Sequence, residues 1–148
     1  MTAMVQIHSE AGRVPVSRQR MVAAVQTVLR AERERLASVS VSLVSTAVMR
    51  KLNRAHFGRG TPTDVISLGW RSPETGMLVG DIYIAPDVAR ASARRGGVGV
   101  REELMRLLVH GVLHAIGYDH SSGAARTEGP MWRRQERLVA RVLREPAA

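Results

Sequence analysis

Apolar positions along this chain repeat at two spacings, and the switches between them mark out its elements. Val5 to His8 reads as a short first strand. Ser17 stands where an N-cap belongs, and Met21, Val22, Val25, Val28 and Leu29 recur at helical spacing, predicting a helix to about Leu36. Ser38 to Val44 alternates polar and apolar with period two, the pattern of a strand with one buried face. Ser45 or Thr46 caps a second helix with Val48, Leu52 and Ala55 on its inner side, ending at Gly58. Residues 58–64 (GRGTPTD) gather glycine, proline and capping residues and read as loop. Val65 to Leu68 and Asp81 to Ala85 read as strands, with a Ser-Pro-Glu-Thr-Gly turn between them.

Pro86-Asp87 opens a short helix through Ala93, stopped by Gly96-Gly97. Arg101 to Ile116 is apolar on most sides and is the predicted central buried helix, with Gly117 placed to end it in a left-handed conformation. A last amphipathic helix runs from about Thr127 to Arg144, with Met131, Leu138, Val139 and Val142 on its apolar side. Four strands interleaved with five helices make the expected class α+β, one layer-packed domain over residues 1–148.

Composition sharpens this picture in three ways. The 148 residues are 45% hydrophobic, enough for one real core. They carry 22 Lys+Arg against 13 Asp+Glu, a net +9, and Lys51 is the only lysine, so the positive surface is almost wholly guanidinium. Such a surface attracts phosphate. Part of it is one stripe, since Arg133, Arg134, Arg137, Arg141 and Arg144 fall within an arc of about 100° on the last helix. A solvated face and a phosphate-contacting face both fit that stripe. The absence of cysteine excludes disulfide partners, thiolate zinc sites and cysteine nucleophiles, and it suits a reducing cytosol. The N-terminus lacks the pattern of a signal peptide and no apolar run reaches membrane-spanning length, so a cytoplasmic protein with no membrane partner is expected. Aromatic residues are only 3%, which argues against an extended aromatic platform for single strands.

The candidate chemistry lies in three histidines. His110 and His114 are i and i+4 on the central helix, stacked about 6 Å apart along its axis. Gly117 turns the chain so that His120 can return to the same point. Three imidazoles on one zinc ion leave the fourth position to water, the arrangement of a catalytic rather than a structural site. The expected cofactor is therefore one Zn²⁺ per chain, held by His110, His114 and His120. The same spacing occurs in metzincin peptidases, which place a glutamate base directly after the first histidine. Here that position is Gly111, so peptide hydrolysis by that route has lost its base. His8 and His56 have no ligand spacing.

The stretch His110-Gly-Val-Leu-His114-Ala-Ile-Gly117-Tyr-Asp-His120 closely resembles the H-G-x-L-H-L-x-G-Y-D-H signature of the YbeY-type rRNA maturation endoribonucleases. Leu52-Asn53-Arg54, Thr61-Pro62-Thr63-Asp64-Val65-Ile66-Ser67 and Gly80-Asp81-Ile82 match further blocks of that family in order, and Met131 with Gln135-Glu136 matches its closing helix. The resemblance implies a mixed sheet packed with helices and a zinc cleft beside the central helix. It also implies a single-strand-specific zinc endoribonuclease acting in 16S rRNA 3′-end maturation and ribosome quality control, with rRNA and the 30S subunit as partners.

The chain departs from the family where an aromatic residue and an arginine usually stand, since those positions are His56 and Phe57. Arg59, in the glycine-flanked loop, and Arg54 are candidates to meet the phosphate instead, and Arg133, Arg137 and Arg141 to bind RNA. Leu68 and Gly69 replace the family's second aromatic and its proline. Asp119 is a candidate to orient a ligand histidine, and Asp64 and Asp81 are further possible helpers. Two other readings stay open, a non-enzymatic ribosome-assembly factor with a structural zinc and a metzincin-like peptidase.

Overall fold

The computed structural model of the chain describes residues 3–60, 63–119 and 129–145. Within them the order is β1 (Met4–Ser9), α1 (Arg18–Ala31), β2 (Ala37–Leu43), α2 (Thr46–Phe57), β3 (Val65–Arg71), β4 (Leu78–Ile84), α3 (Pro86–Gly96), α4 (Val100–Ile116) and α5 (Gly129–Arg144). The strands form one mixed sheet in the order β1-β2-β4-β3. β1, β2 and β4 run parallel, and β3 pairs antiparallel with β4 at one edge. The α+β class and the four strands are as the patterning predicts, and the mixed sheet is as the resemblance implies.

Register assigns the two faces. Val39 pairs with Gly80, Val41 with Ile82 and Leu43 with Ile84, and on the far side of β4 Val65, Ser67 and Gly69 come into line with them. This face packs against α1 and α4 and carries the main core, into which α5 adds Met131, Leu138, Val139 and Val142. The opposite face bears a smaller cluster of Val44, Met49, Ile66 and Ala85.

Several sequence expectations are corrected: β3 runs on to Arg71 rather than ending at Leu68, and β4 spans Leu78–Ile84 rather than Asp81–Ala85. Helix α1 stops at Ala31, not near Leu36, because Arg33 adopts a left-handed φ of 58° and Glu34 donates its N–H back to the Leu29 carbonyl. On α2 the buried residues are Met49 and Asn53, with Leu52 partly covered, whereas Val48 and Ala55 are not buried. The helix is rotated so that Met49 meets the small cluster. Its cap is Ser45, whose hydroxyl accepts from the Val48 N–H, and it ends at Gly58 as expected, with that glycine in the left-handed region.

α4 is the pivot of the molecule. It packs against α1, α3, α5, β3 and β4, and its middle is buried from Leu107 to Leu113. Two glycines let it approach the sheet. A β-carbon on Gly111 would stand 2.8 Å from Ile82 Cγ2, and one on Gly69 would collide with the Ala115 carbonyl oxygen. Gly69, one of the departures from the family pattern, is thus the residue that allows backbone contact between β3 and the end of α4.

Candidate functional site

The close packing of α4 on β3 sets the position of the histidines. Ser67 on β3 donates its hydroxyl to the Gly111 carbonyl at 2.5 Å, pinning the helix where His110 and His114 emerge. Their rings meet edge to face, with centroids 4.6 Å apart. Position 111 faces Ile82 in the sheet, so a glutamate there would run into the core rather than reach the histidine side. The missing metzincin base therefore has a packing cause as well as a chemical consequence.

His110 is buried, and its Nδ1 lies 2.6 Å from Gln135 Oε1. The Gln135 amide is itself oriented, because Nε2 donates to Glu136 at 3.1 Å. Glu136 receives Nε and an Nη of Arg106 at 2.9 and 3.0 Å, and Arg106 also pairs with Glu102 at 3.0 Å. Burial alone would raise the Glu136 pKa, but the bonds from Arg106 and Gln135 outweigh it and hold the carboxyl below its usual range. The bond to Glu136 likewise raises Arg106 against the effect of burial. With Gln135 Oε1 as acceptor, His110 carries its proton on Nδ1 and its lone pair on Nε2, the tautomer a metal needs.

A cleft of about 540 Å³ opens beside this pair. His110 and His114 form one wall, and Asn53, Phe57, Arg59 and Asp64 contribute to the other. Arg59 thus lies on the cleft. Phe57 is 52% exposed there. Arg54 is elsewhere, its guanidinium 3.1 Å from where a β-carbon of Gly60 would stand. Asp64 lines this cleft and a second one behind His110.

The other predicted residues divide. Asp81 is not a helper at the histidines, because the pleat turns it to the opposite face of the sheet, where the Tyr83 hydroxyl donates to it at 3.4 Å. Asp119 is exposed just beyond the end of α4. Arg133, Arg137 and Arg141 are exposed on α5, whereas Arg134 leaves the stripe to pair with Glu32 at 2.6 Å and to donate to the Ala31 carbonyl. His120 lies outside the described residues, as do Thr61 and Pro62. Among the described residues no group of three potential ligands gathers, so the structure brings together His110 and His114 and leaves the third ligand to the sequence spacing.

Sequence reasoning did not find the roles of Gln135 and Arg106. Gln135 had a readable signal, a polar residue set one turn from Met131 and from Leu138 in the apolar stripe of α5, where it is 3% exposed.

Comparisons with known proteins agree with this architecture. The sequence model of the family described as Endoribonuclease YbeY matches residues 6–143. The endoribonuclease YbeY of Micrococcus luteus is 40% identical over 119 residues, which is 75% of this chain and 74% of the relative. That of Frankia casuarinae is 34% identical over 90% of this chain and 72% of its own length. In structure, TM1509 from Thermotoga maritima superposes with a TM-score of 0.65 at 26% identity, covering 94% of this chain and 89% of that one. No helix among the described residues is long and apolar enough to cross a membrane.

Proposed function

The chain belongs to the endoribonuclease YbeY family, and from that premise we propose that residues 1–148 form one domain that is a zinc-dependent endoribonuclease specific for single-stranded RNA. Its work is 16S rRNA 3′-end maturation and ribosome quality control on the 30S subunit in the cytoplasm. The observation that carries the reading is the orientation of His110 by Gln135 at the wall of an open cleft that also holds Arg59.

His110, His114 and His120 would hold the zinc ion. When bound, zinc supplies Lewis acidity to a phosphate oxygen and acidifies water. The rest of the work falls to the chain. Gln135 keeps the His110 proton on Nδ1, and the Ser67 bond to Gly111 fixes the height of the helix against the sheet. Arg59 meets the phosphate across the cleft and offsets charge growing on its equatorial oxygens. Asp119 orients a ligand histidine from beyond the helix end. The exposed Arg54, Arg133, Arg137 and Arg141 hold the RNA backbone.

The test is cleavage of a labelled single-stranded RNA by wild type and His114→Ala, each metal-stripped and then given zinc. Zinc-restored cleavage in wild type, and a loss of roughly a thousandfold in the variant, is the expected result. Product ends separate two routes, since a 2′,3′-cyclic phosphate would mean attack by the RNA's own 2′-OH. One observation favours a second reading, a non-enzymatic assembly factor with structural zinc: Phe57 stands where the family usually has arginine. Stoichiometric zinc with equal cleavage in both proteins would establish that reading instead.

A further inference from the structure

A second cleft, about 300 Å³, lies behind His110 and shares Asp64 with the first. It is built where three helices meet. α4 supplies Glu103 and His110 from one face at i and i+7, α3 supplies Ser92, and α5 supplies Trp132. Nothing in the proposed cleavage uses Glu103, Ser92 or Trp132.

The chemistry of this lining is specific. Trp132 is half-buried and offers an aromatic ring at the wall. The polar groups are two carboxylates, Asp64 and Glu103, the Ser92 hydroxyl, and the Arg106 guanidinium, which is bonded to Glu102 and Glu136 at 2.9–3.0 Å and stands 3.5 Å from one Glu103 oxygen. The Glu103 side chain is only 15% exposed, with Arg106 at 3.5 Å, and burial, opposed by Arg106 and aided by Asp64, raises its pKa. A ligand that brings two donors to this carboxylate would replace the water it has lost.

Single-stranded RNA is read by splaying bases out of the stack, laying them on aromatic rings and bonding their Watson–Crick edges. Adenine and cytosine each present one amino donor beside a ring acceptor on that edge, and uracil one N–H between two carbonyls. Guanine alone presents two adjacent donors, N1–H and N2–H₂, which match the two oxygens of one carboxylate. Its O6 then falls to a donor, a role open to the Ser92 hydroxyl. The scarcity of aromatic residues is no obstacle, because one pocket needs one ring.

We infer that the second cleft is a base-binding subsite for an unstacked guanine, with its Watson–Crick edge on Glu103 and its ring against Trp132, adjoining the first cleft at His110 and Asp64. The inference rests on the endoribonuclease reading for its biological meaning, but its first test does not.

The chain has two tryptophans, so Trp70→Phe leaves Trp132 as the only one. That protein is titrated with the 5′-monophosphates of guanosine, adenosine, cytidine and uridine while tryptophan fluorescence is followed. Guanosine monophosphate should quench saturably and bind roughly tenfold tighter than the other three. Glu103→Gln, near-isosteric and checked by thermal melting, should erase that preference, since its amide offers one acceptor and a clashing donor. Equal binding of all four nucleotides, or a guanine preference that survives Glu103→Gln, overturns the assignment.

The second test maps the ends of cleavage products from a random single-stranded RNA. Wild type should show guanine enriched at one fixed position beside the cut, and the cuts still made by Glu103→Gln should lose that enrichment. Cleavage without guanine enrichment overturns the subsite and leaves the nuclease standing. No cleavage together with guanine-selective quenching overturns the nuclease and leaves the subsite.

Discussion

The two walls of the main cleft are built on different principles. The α4 wall is over-determined. His110 is bonded to Gln135, Gln135 to Glu136 and Glu136 to Arg106, and the helix beneath them is locked to β3 through Ser67. The facing wall, from the end of α2 and the loop after Gly58, offers exposed side chains, among them Phe57 and Arg59. A metal ligand must be held within a few tenths of an ångström, whereas a cation facing a phosphate works from several rotamers. The family's arginine position has become Phe57 on the tolerant wall, while His110 and His114 of the signature stand on the rigid one.

Mutations that treat the walls as independent test this contrast. Arg59→Ala should lower kcat by roughly a hundredfold while zinc content stays stoichiometric, because it removes charge stabilisation and touches no ligand. Gln135→Leu should do the reverse. It frees the His110 ring to change tautomer and should weaken zinc retention roughly ten- to a hundredfold, measured by competition with a chromogenic chelator. If Arg59→Ala released zinc, or Gln135→Leu left its affinity unchanged, the two walls would not be separable.

Packing accounts for what the sequence makes legible and what it hides. α4 and its histidine pair could be read directly, since a long apolar period and an i, i+4 spacing are local facts. The alternation in β2 was legible for the same reason, with Val39, Val41 and Leu43 buried as the period demands. The inner face of α2 was not, because the helix covers only a small cluster and its rotation is set by Met49 against Ile66 and Ala85. Gly69 gave no local sign either. Its requirement comes from Ala115, far along the chain, which its absent β-carbon allows to approach. Gly69→Ala should therefore cost about 1–3 kcal/mol in a chemical melt, through overpacking against backbone that cannot swing aside. Gly111→Ala, facing a side-chain methyl of Ile82 at 2.8 Å, should cost less.

The rigid wall should also have a pH signature. The folded Glu136 carboxyl titrates below its usual value, so the network contributes stability at neutral pH that is lost as pH falls through the folded pKa. Glu103 acts with the opposite sign. Its raised folded pKa means that protonation, beginning above the usual carboxylate value, relieves part of the burial cost. Melting temperatures taken downward from pH 7 should fall less steeply in Glu136→Gln than in wild type, and the difference should lie below the usual glutamate value of about 4.3. Equal slopes would mean that Arg106 is held by Glu102 and Glu103 without help from Glu136.

The smallest expected effect separates the arginines of α5, which look alike on a helical wheel. Arg134 is tied to Glu32 and to the end of α1, so its charge is already matched. Arg137 and Arg141 are exposed on the same helix and form no ion pair among the described residues. If they meet RNA, neutralising both should weaken single-strand binding several-fold and flatten the dependence of log K on log salt by roughly 0.7 for each phosphate they neutralise. Arg134→Gln should lower the melting temperature and leave that slope unchanged. The slope is the discriminating quantity, since a variant that merely loosened the helix would lose affinity at every salt concentration alike. Unchanged slopes in all three would assign the stripe to solvent and confine RNA binding to the cleft.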